Sequence, residues 1–277
     1  MSFINSALRP LFDGILFPVR DWSPLLSLAI LSLVIGIAML FVFKHTSNQK
    51  GLADIKRRIH AGLFEIRLFN DDPRAIFRAQ GEILRHNLSY LRLSLVPMLW
   101  MIVPLFLVIA QLQFHYGYDG LVPGQSTLVK VKLAESAVPG DTGRPDVSLE
   151  APPGLRVETP GVWVAELNEI SWRIAAQDRG SYEMKVRVAG EDYTKSVQVA
   201  DGIVLRSPER FAPSWWKEAL FPAEAPLPRG GAVESIAIAY PEREIISAFG
   251  YGHWIIVFFV LSMAFAFALR SRVGVTF

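Results

Sequence analysis

Five histidines, His45, His60, His86, His115 and His253, are the side chains in this chain best suited to proton transfer or metal ligation near neutral pH. They are scattered, and no cysteine accompanies them. The chain has no HExxH pair, no GxSxG nucleophile turn, no Walker phosphate loop and no dinucleotide-binding glycine pattern. His115 and His253 both fall near the same end of apolar runs and could meet, but histidines at such boundaries read first as interfacial side chains. The expectation is no enzyme, with no catalytic residue, no metal and no cofactor. A different group stands out: Ser27, Ser32, Ser94, Pro97, Pro104 and Gln111 lie in or beside apolar sequence, with Arg85 and Arg92 just before the prolines. Each proline frees a backbone carbonyl and bends a helix, and nearby hydroxyls, amides or water can meet that carbonyl. Ordinary helix packing would account for these residues. The sharper reading is a partly polar, deformable groove that binds without reacting.

The elements that carry these residues are apolar and long. Of 277 residues, 51% are hydrophobic, which directs attention to uncharged runs. Three runs, Leu25–Phe43, Leu95–Phe114 and Phe249–Leu269, each reach about the 20 residues needed to cross about 30 Å of hydrocarbon. The first begins well inside the chain and is followed by "FKHTSNQKG", not by a small-residue cleavage site, so it is expected to remain as an anchor.

Charge sets the orientation. Residues 44–92 hold ten Lys/Arg against five acids, whereas 119–248 hold 14 basic against 19 acidic residues. By the positive-inside rule, 45–92 and the C-terminal "RSRVGVTF" face the cytoplasm, and the N-terminus and residues 119–248 lie outside. The expected location is a bacterial cytoplasmic (inner) membrane. Residues 1–22 read as an interfacial segment, with Phe3, Ala7, Leu8, Leu11 and Ile15 able to share a helical face and Trp22 at headgroup level. Residues 23–118 hold two spans and the cytoplasmic insert, and 249–277 hold the third span and a short tail.

Inside the insert, Leu52, Ile55, Ile59, Leu63 and Ile66 keep helical spacing, and Ile76, Gln80, Ile83/Leu84, Asn87/Leu88 and Leu91 continue it after "FNDDPRA". Asp72 suits an N-cap and Pro73 a first helical position. The pattern predicts an antiparallel helical hairpin with Asn70–Asp72 at its tip. Nothing from Pro73 to Phe114 stops the second arm, so one rod forms both that arm and the second span.

"DDPRAIFRAQGEILRHNLSYLRLSLVPMLWMIVP" then carries a resemblance. An external N-terminus, a span, a basic cytoplasmic hairpin and a proline-bearing second span resemble the YidC-type membrane-protein insertase superfamily, which includes the core insertase subunit of the endoplasmic-reticulum membrane complex. The likeness covers Ser23–Tyr118. It implies a chaperone whose hairpin captures a client transmembrane segment and whose groove receives it. Carried onto this chain, the groove would involve Ser27, Ser32, Arg85, Arg92, Ser94, Pro97, Pro104 and Gln111. Bacterial members hold an arginine within the groove, whereas here Arg92 reaches only the edge of the second span. The inserted outer segment is not a usual feature of that core.

That outer segment reads as β. "STLVKVKLAE", "DVSLEAP", "LRVETPGVWVAEL", "EISWRIAA", "SYEMKVRVAG" and "DYTKSVQVAD" follow one another between Gly, Pro and Asp, with a hairpin through Gly190–Asp192 and Trp172 and Tyr182 as core aromatics. "ESIAIAYP" adds a strand. The fold class is thus a membrane α-helical part with three spans and a cytoplasmic hairpin, plus an extracytoplasmic immunoglobulin-like sandwich. Trp22, Trp215, Trp216 and Trp254 are candidate membrane-interface residues, although Trp215 and Trp216 could equally pack on the sandwich. Expected partners are the lipid bilayer and either membrane-protein clients or subunits of a membrane complex. No nucleic acid is expected beyond proximity to a ribosome, and the oligomeric state is open. The competing expectation is a membrane-anchored scaffold whose outer domain binds an envelope partner.

Overall fold

The structure, a computed structural model, describes residues 2–69, 71–138, 144–247 and 250–275. Asn70, expected at the hairpin tip, and Phe249, expected to open the third span, lie outside the described residues, as do the side chains of residues 2–4, 7 and 247. In chain order the helices are α1 (Ser2–Leu16), α2 (Pro24–Thr46), α3 (Gln49–Leu68), α4 (Pro73–Tyr116), α5 (Trp215–Leu220) and α6 (Trp254–Val273). Among the described residues α2, α4 and α6 are long and apolar enough to cross a membrane. The chain forms two compact units, one of residues 28–106 with 256–277 and the other of residues 1–27 with 107–255.

Local chemistry starts each long helix. Ser23 Oγ accepts from Leu26 N at 3.2 Å, with Pro24 as the first residue of α2. Asn48 Oδ1 accepts from Gly51 N at 2.9 Å to open α3. Asp72 Oδ1 accepts from Arg74 N at 2.9 Å, and Pro73 begins α4. α4 then runs for 44 residues through Pro97 and Pro104 without a break. At 1.5 Å per residue that is about 66 Å, roughly twice a hydrocarbon core.

In the helical unit, α3 lies along the first half of α4. Gly62 is packed against Ile83, so closely that a Cβ there would come within 2.7 Å of Ile83 Cγ1. Ten residues earlier, the fully buried Leu52 joins a cluster with Tyr90 and Leu93. Moving back along α3 therefore moves forward along α4, which makes the two helices antiparallel. Leu40 and Phe43 of α2, Ala266, Leu269 and Val273 of α6, and Val275 complete that cluster. Lys44 Nζ donates to Val273 O at 2.7 Å, placing a cation on the carbonyl end of α6.

The other unit is mainly β. Its strands are β1 (Ser126–Leu133), β2 (Val147–Glu150), β3 (Leu155–Val157), β4 (Val162–Val164), β5 (Glu169–Ala176), β6 (Gly180–Val188), β7 (Glu191–Val199), β8 (Glu209–Phe211), β9 (Val233–Ile238), β10 (Glu244–Ser247) and β11 (Gly250–His253). One antiparallel sheet has the order β3-β5-β1-β9-β8 with β4 also on β5, a second has β2-β6-β7, and β10 pairs with β11. Alternation drives the burial: Val129, Val131 and Leu133 of β1 point into one core with Ile170, Trp172 and Ile174 of β5, and with Met184, Val186, Val197 and Val199 of the second sheet. The β6–β7 turn is Ala189–Gly190, both at positive φ, as a two-residue hairpin requires. Trp172 is buried, and Tyr182 packs at the edge of the core.

Two arginines tie the end of α4 into this unit. Arg206, fully buried, donates to the carbonyls of Tyr118, Val204, Ala200 and Gly202, while its own N–H meets Phe114 O at 2.8 Å. Arg243 donates to Asp119 Oδ1 at 2.6 Å, to Gly202 O at 2.7 Å and to His115 O. Both sit where a helix C-terminus leaves carbonyls without partners and favours positive charge. Burial, then Arg243, pulls the Arg206 guanidinium down to about 10.

Candidate functional site

The face of α4 turned away from α3 is apolar and uncovered. Phe77, Leu84, Leu88, Leu91, Leu95, Met98 and Ile102 are each more than half exposed. With Gly81 they recur at alternating steps of four and three residues, the spacing of a coiled-coil seam. Because 3.5 residues fall short of a full 3.6-residue period, such a stripe winds by about 20° per heptad. The residues that hold α3, Ala79, Ile83 and Tyr90, lie on a different face, so the seam plays no part in holding the helix pair together.

The seam runs into a cleft of about 310 Å³. Gly36, Met39, Leu40 and Phe43 of α2 form one wall, and Met98, Met101 and Leu105 of α4 form another. Phe258, Phe259, Ser262, Met263, Ala266 and Phe267 of α6 close the third side. Four of the six methionines in the chain are here. Unbranched, polarisable thioethers repack around apolar shapes that differ from one another. A Cβ at Gly36 would lie 3.3 Å from Ser262 O, so glycine lets the α2 and α6 backbones approach. Ser262 Oγ is buried with no hydrogen-bond partner among the described residues. An unmet hydroxyl of this kind costs about 1–3 kcal/mol, which an occupant with a polar group would offset.

The expected groove residues are not the ones that line this cleft. Ser32, Arg85, Arg92, Ser94, Pro97 and Pro104 belong to the same unit but lie off its walls, and the walls are apolar where a partly polar groove was expected. Pro97 and Ser32 are buried, and Arg85 and Arg92 are exposed. Ser27 and Gln111 are buried in the other unit, where Ser27 Oγ bonds to Pro24 O at 3.0 Å. Sequence reasoning missed the methionines. Met98 and Met101 lie one and four residues beyond Pro97, and only the folded arrangement brings Met39 and Met263 to them.

Of the candidate interface tryptophans, Trp22, Trp215 and Trp216 are exposed, and the last two stack at 4.0 Å. Trp254 differs. It is fully buried, its indole N–H donates to Gln113 Oε1 at 3.0 Å, and its ring faces Tyr116. Its polar edge is met by protein, so it cannot sit at a lipid headgroup as the others can.

Groups able to do chemistry are engaged elsewhere. His115 Nε2 lies 3.0 Å from Asp13 Oδ1 and Nδ1 3.0 Å from Gln111 O, while His253 is exposed beside Asp119, Glu242 and Glu244. No group of three or more His, Asp or Glu able to hold a metal occurs among the described residues. Lys195 Nζ lies 3.0 Å from Ser207 Oγ, superficially a serine–lysine pair. The ammonium also donates to Ser207 O and to Glu224 Oε2, each at 2.6 Å. With three acceptors around three protons it stays charged and has no lone pair to take a proton from the serine.

No family model, curated protein or solved structure matches the chain.

Proposed function

We propose that the protein is an insertase-like membrane chaperone that receives apolar helical segments of client proteins along the α4 seam and passes them into the methionine-lined cleft. The carrying observation is continuity: one exposed heptad stripe leads from the α3–α4 helix pair, along the same helix, to a cleft walled by the three spanning helices. An occupant matching that path is helical, apolar and about as long as a membrane span. Burial of its side chains supplies the attraction, at about 25 cal/mol per Å² of apolar surface. Apolar burial is not directional, which suits a site that takes many sequences. No bond is made or broken.

In this reading the ten basic residues of 44–92 place the helix pair in the cytoplasm, as a cytoplasmic hairpin, with the β unit outside a bacterial cytoplasmic membrane as an immunoglobulin-like domain. The scaffold alternative gains little from the β7 edge of the second sheet. On β7, Ser196 N is met by Glu224, Gln198 N by the Tyr240 hydroxyl and Thr194 O by Arg210, so a partner strand finds few free groups there.

Site-specific photo-crosslinking from positions 88 and 98 during synthesis of a polytopic client tests the proposal. Adducts to the client's transmembrane segment are expected from both positions and not from position 82 on another face. Absence of client adducts at 88 and 98, together with complete loss of function on deleting 121–240, would overturn it in favour of the scaffold.

A further inference from the structure

In the β-containing unit, α1 covers a second chamber of about 480 Å³ whose chemistry is unlike that of the cleft. Three polar residues at four-residue spacing fasten α1: Asn5 Nδ2 donates to Glu218 O at 2.5 Å, Arg9 Nε donates to Pro222 O, and Asp13 meets His115. Beside them Phe12 and Leu16 are buried, while Leu11 and Ile15 are exposed.

The charges lining the chamber are unevenly satisfied. Asp13 is held by His115, and Glu224 is held by Lys195 and Ser196 N. Arg9 uses only Nε, and its two terminal nitrogens have no hydrogen bond among the described residues. The Arg20 side chain makes one long hydrogen bond, 3.4 Å to its neighbour Asp21, and its guanidinium lies over the Phe17 ring at 4.7 Å. Burial pulls the Arg9 guanidinium below its usual value, with Glu224 and Asp13 opposing. A planar fork with free N–H groups, partly withdrawn from water, is suited to bidentate anionic oxygens such as those of phosphate.

Gln198, Ser196 and Ser207 add neutral polar groups, and Leu16, Phe17, Ile203, Val204 and Leu205 form an apolar side of the chamber. It adjoins the exposed side chains of Ile15 and Phe17. The position is the boundary of the spans, since the chamber includes His115 in the last turn of α4 and the chain leaves it through Arg20 to start α2 at Pro24. A charged recess with an apolar exit at that level fits an amphiphile better than a free anion.

We propose that this chamber binds the phosphodiester of one phospholipid, with Arg9 and Arg20 on the phosphate oxygens and the acyl chains leaving past Phe17 and Ile15. The site is independent of client capture. Native mass spectrometry of the full-length protein, taken from nanodiscs of phosphatidylethanolamine and phosphatidylglycerol, should show one retained phospholipid. Arg20→Gln, which removes the exposed Asp21 contact and the stacking on Phe17, should lower that retention at least tenfold, and Arg9→Gln likewise, with Arg9→Lys intermediate. A phospholipid carrying a photoactivatable headgroup should label residues 203–205 and α1 in the unaltered protein, which gives a readout even where a variant folds poorly. Millimolar glycerophosphoethanolamine should fail to displace the lipid. Retention in the two Gln variants equal to that of the unaltered protein, labelling confined to other segments, or a protein that carries no lipid and binds the soluble phosphodiester would each overturn the proposal.

Discussion

Lys195 Nζ stands 2.6 Å from Glu224 Oε2, joining the second sheet to the segment after α5 through a lysine with no exposed surface. Burial raises Glu224, but the charge and hydrogen bond of Lys195, with Ser207 and Ser196 N, hold it below its ordinary 4.5. Burial is also what lowers Lys195, against the pull of Glu224. A carboxylate whose folded value is depressed contributes stability that is present above its unfolded value and lost as pH falls through the folded one. Acid unfolding of the β unit should therefore begin below about pH 4.5. Glu224→Ala leaves a buried ammonium short of an acceptor and should cost about 3–5 kcal/mol, whereas Lys195→Met with Glu224→Leu should recover most of that loss. Denaturant unfolding at pH 7 and pH 4 checks both expectations. A single substitution that costs nothing would show the pair to be idle.

Gly62 and Ile83 set the separation of α3 and α4. Gly62→Ala puts a Cβ only 2.7 Å from Ile83 Cγ1 and should loosen the pair by about 1–3 kcal/mol. Ile83→Ala in the same chain should restore it, so the two changes together should cost less than their sum. Hydrogen exchange of residues 52–66 measures this. Additive effects would mean that the two positions do not touch.

Trp215 and Trp216 are exposed and stacked, and Trp254 is buried. In nanodiscs containing lipids brominated near the headgroup, replacing both Trp215 and Trp216 by Phe should remove a large share of the quenchable emission, leaving that of the exposed Trp22 and Trp100. Replacing Trp254 should leave the quenchable share intact. If the double replacement leaves quenching unchanged, the pair faces protein or water and not lipid.

Much of this architecture is local and was therefore legible. Apolar runs of about 20 residues mark spans because hydrocarbon thickness sets their length. Asp72 followed by Pro73 marks the start of α4 because an N-cap oxygen and a ring that needs no N–H donor partner suit that one position. The strands β1, β5, β6 and β7 follow from period-two alternation, whereas the three-residue β8 and the polar, glycine-bearing β11 are too short or too irregular for that signal.

What the sequence determined by itself was the set of elements and which residues share a face of each. It did not determine which face finds a partner. Ile83 and Leu84 are adjacent and alike in chemistry, yet Ile83 packs on Gly62 while Leu84 is left uncovered. Met39, Met98 and Met263 meet only because three helices far apart in sequence pack side by side, and Arg9 reaches Pro222 across 213 positions. Helical and strand periods report each element's own surface. Which surfaces meet depends on shape and unmet hydrogen bonds across long loops, and these exist only once the chain has folded.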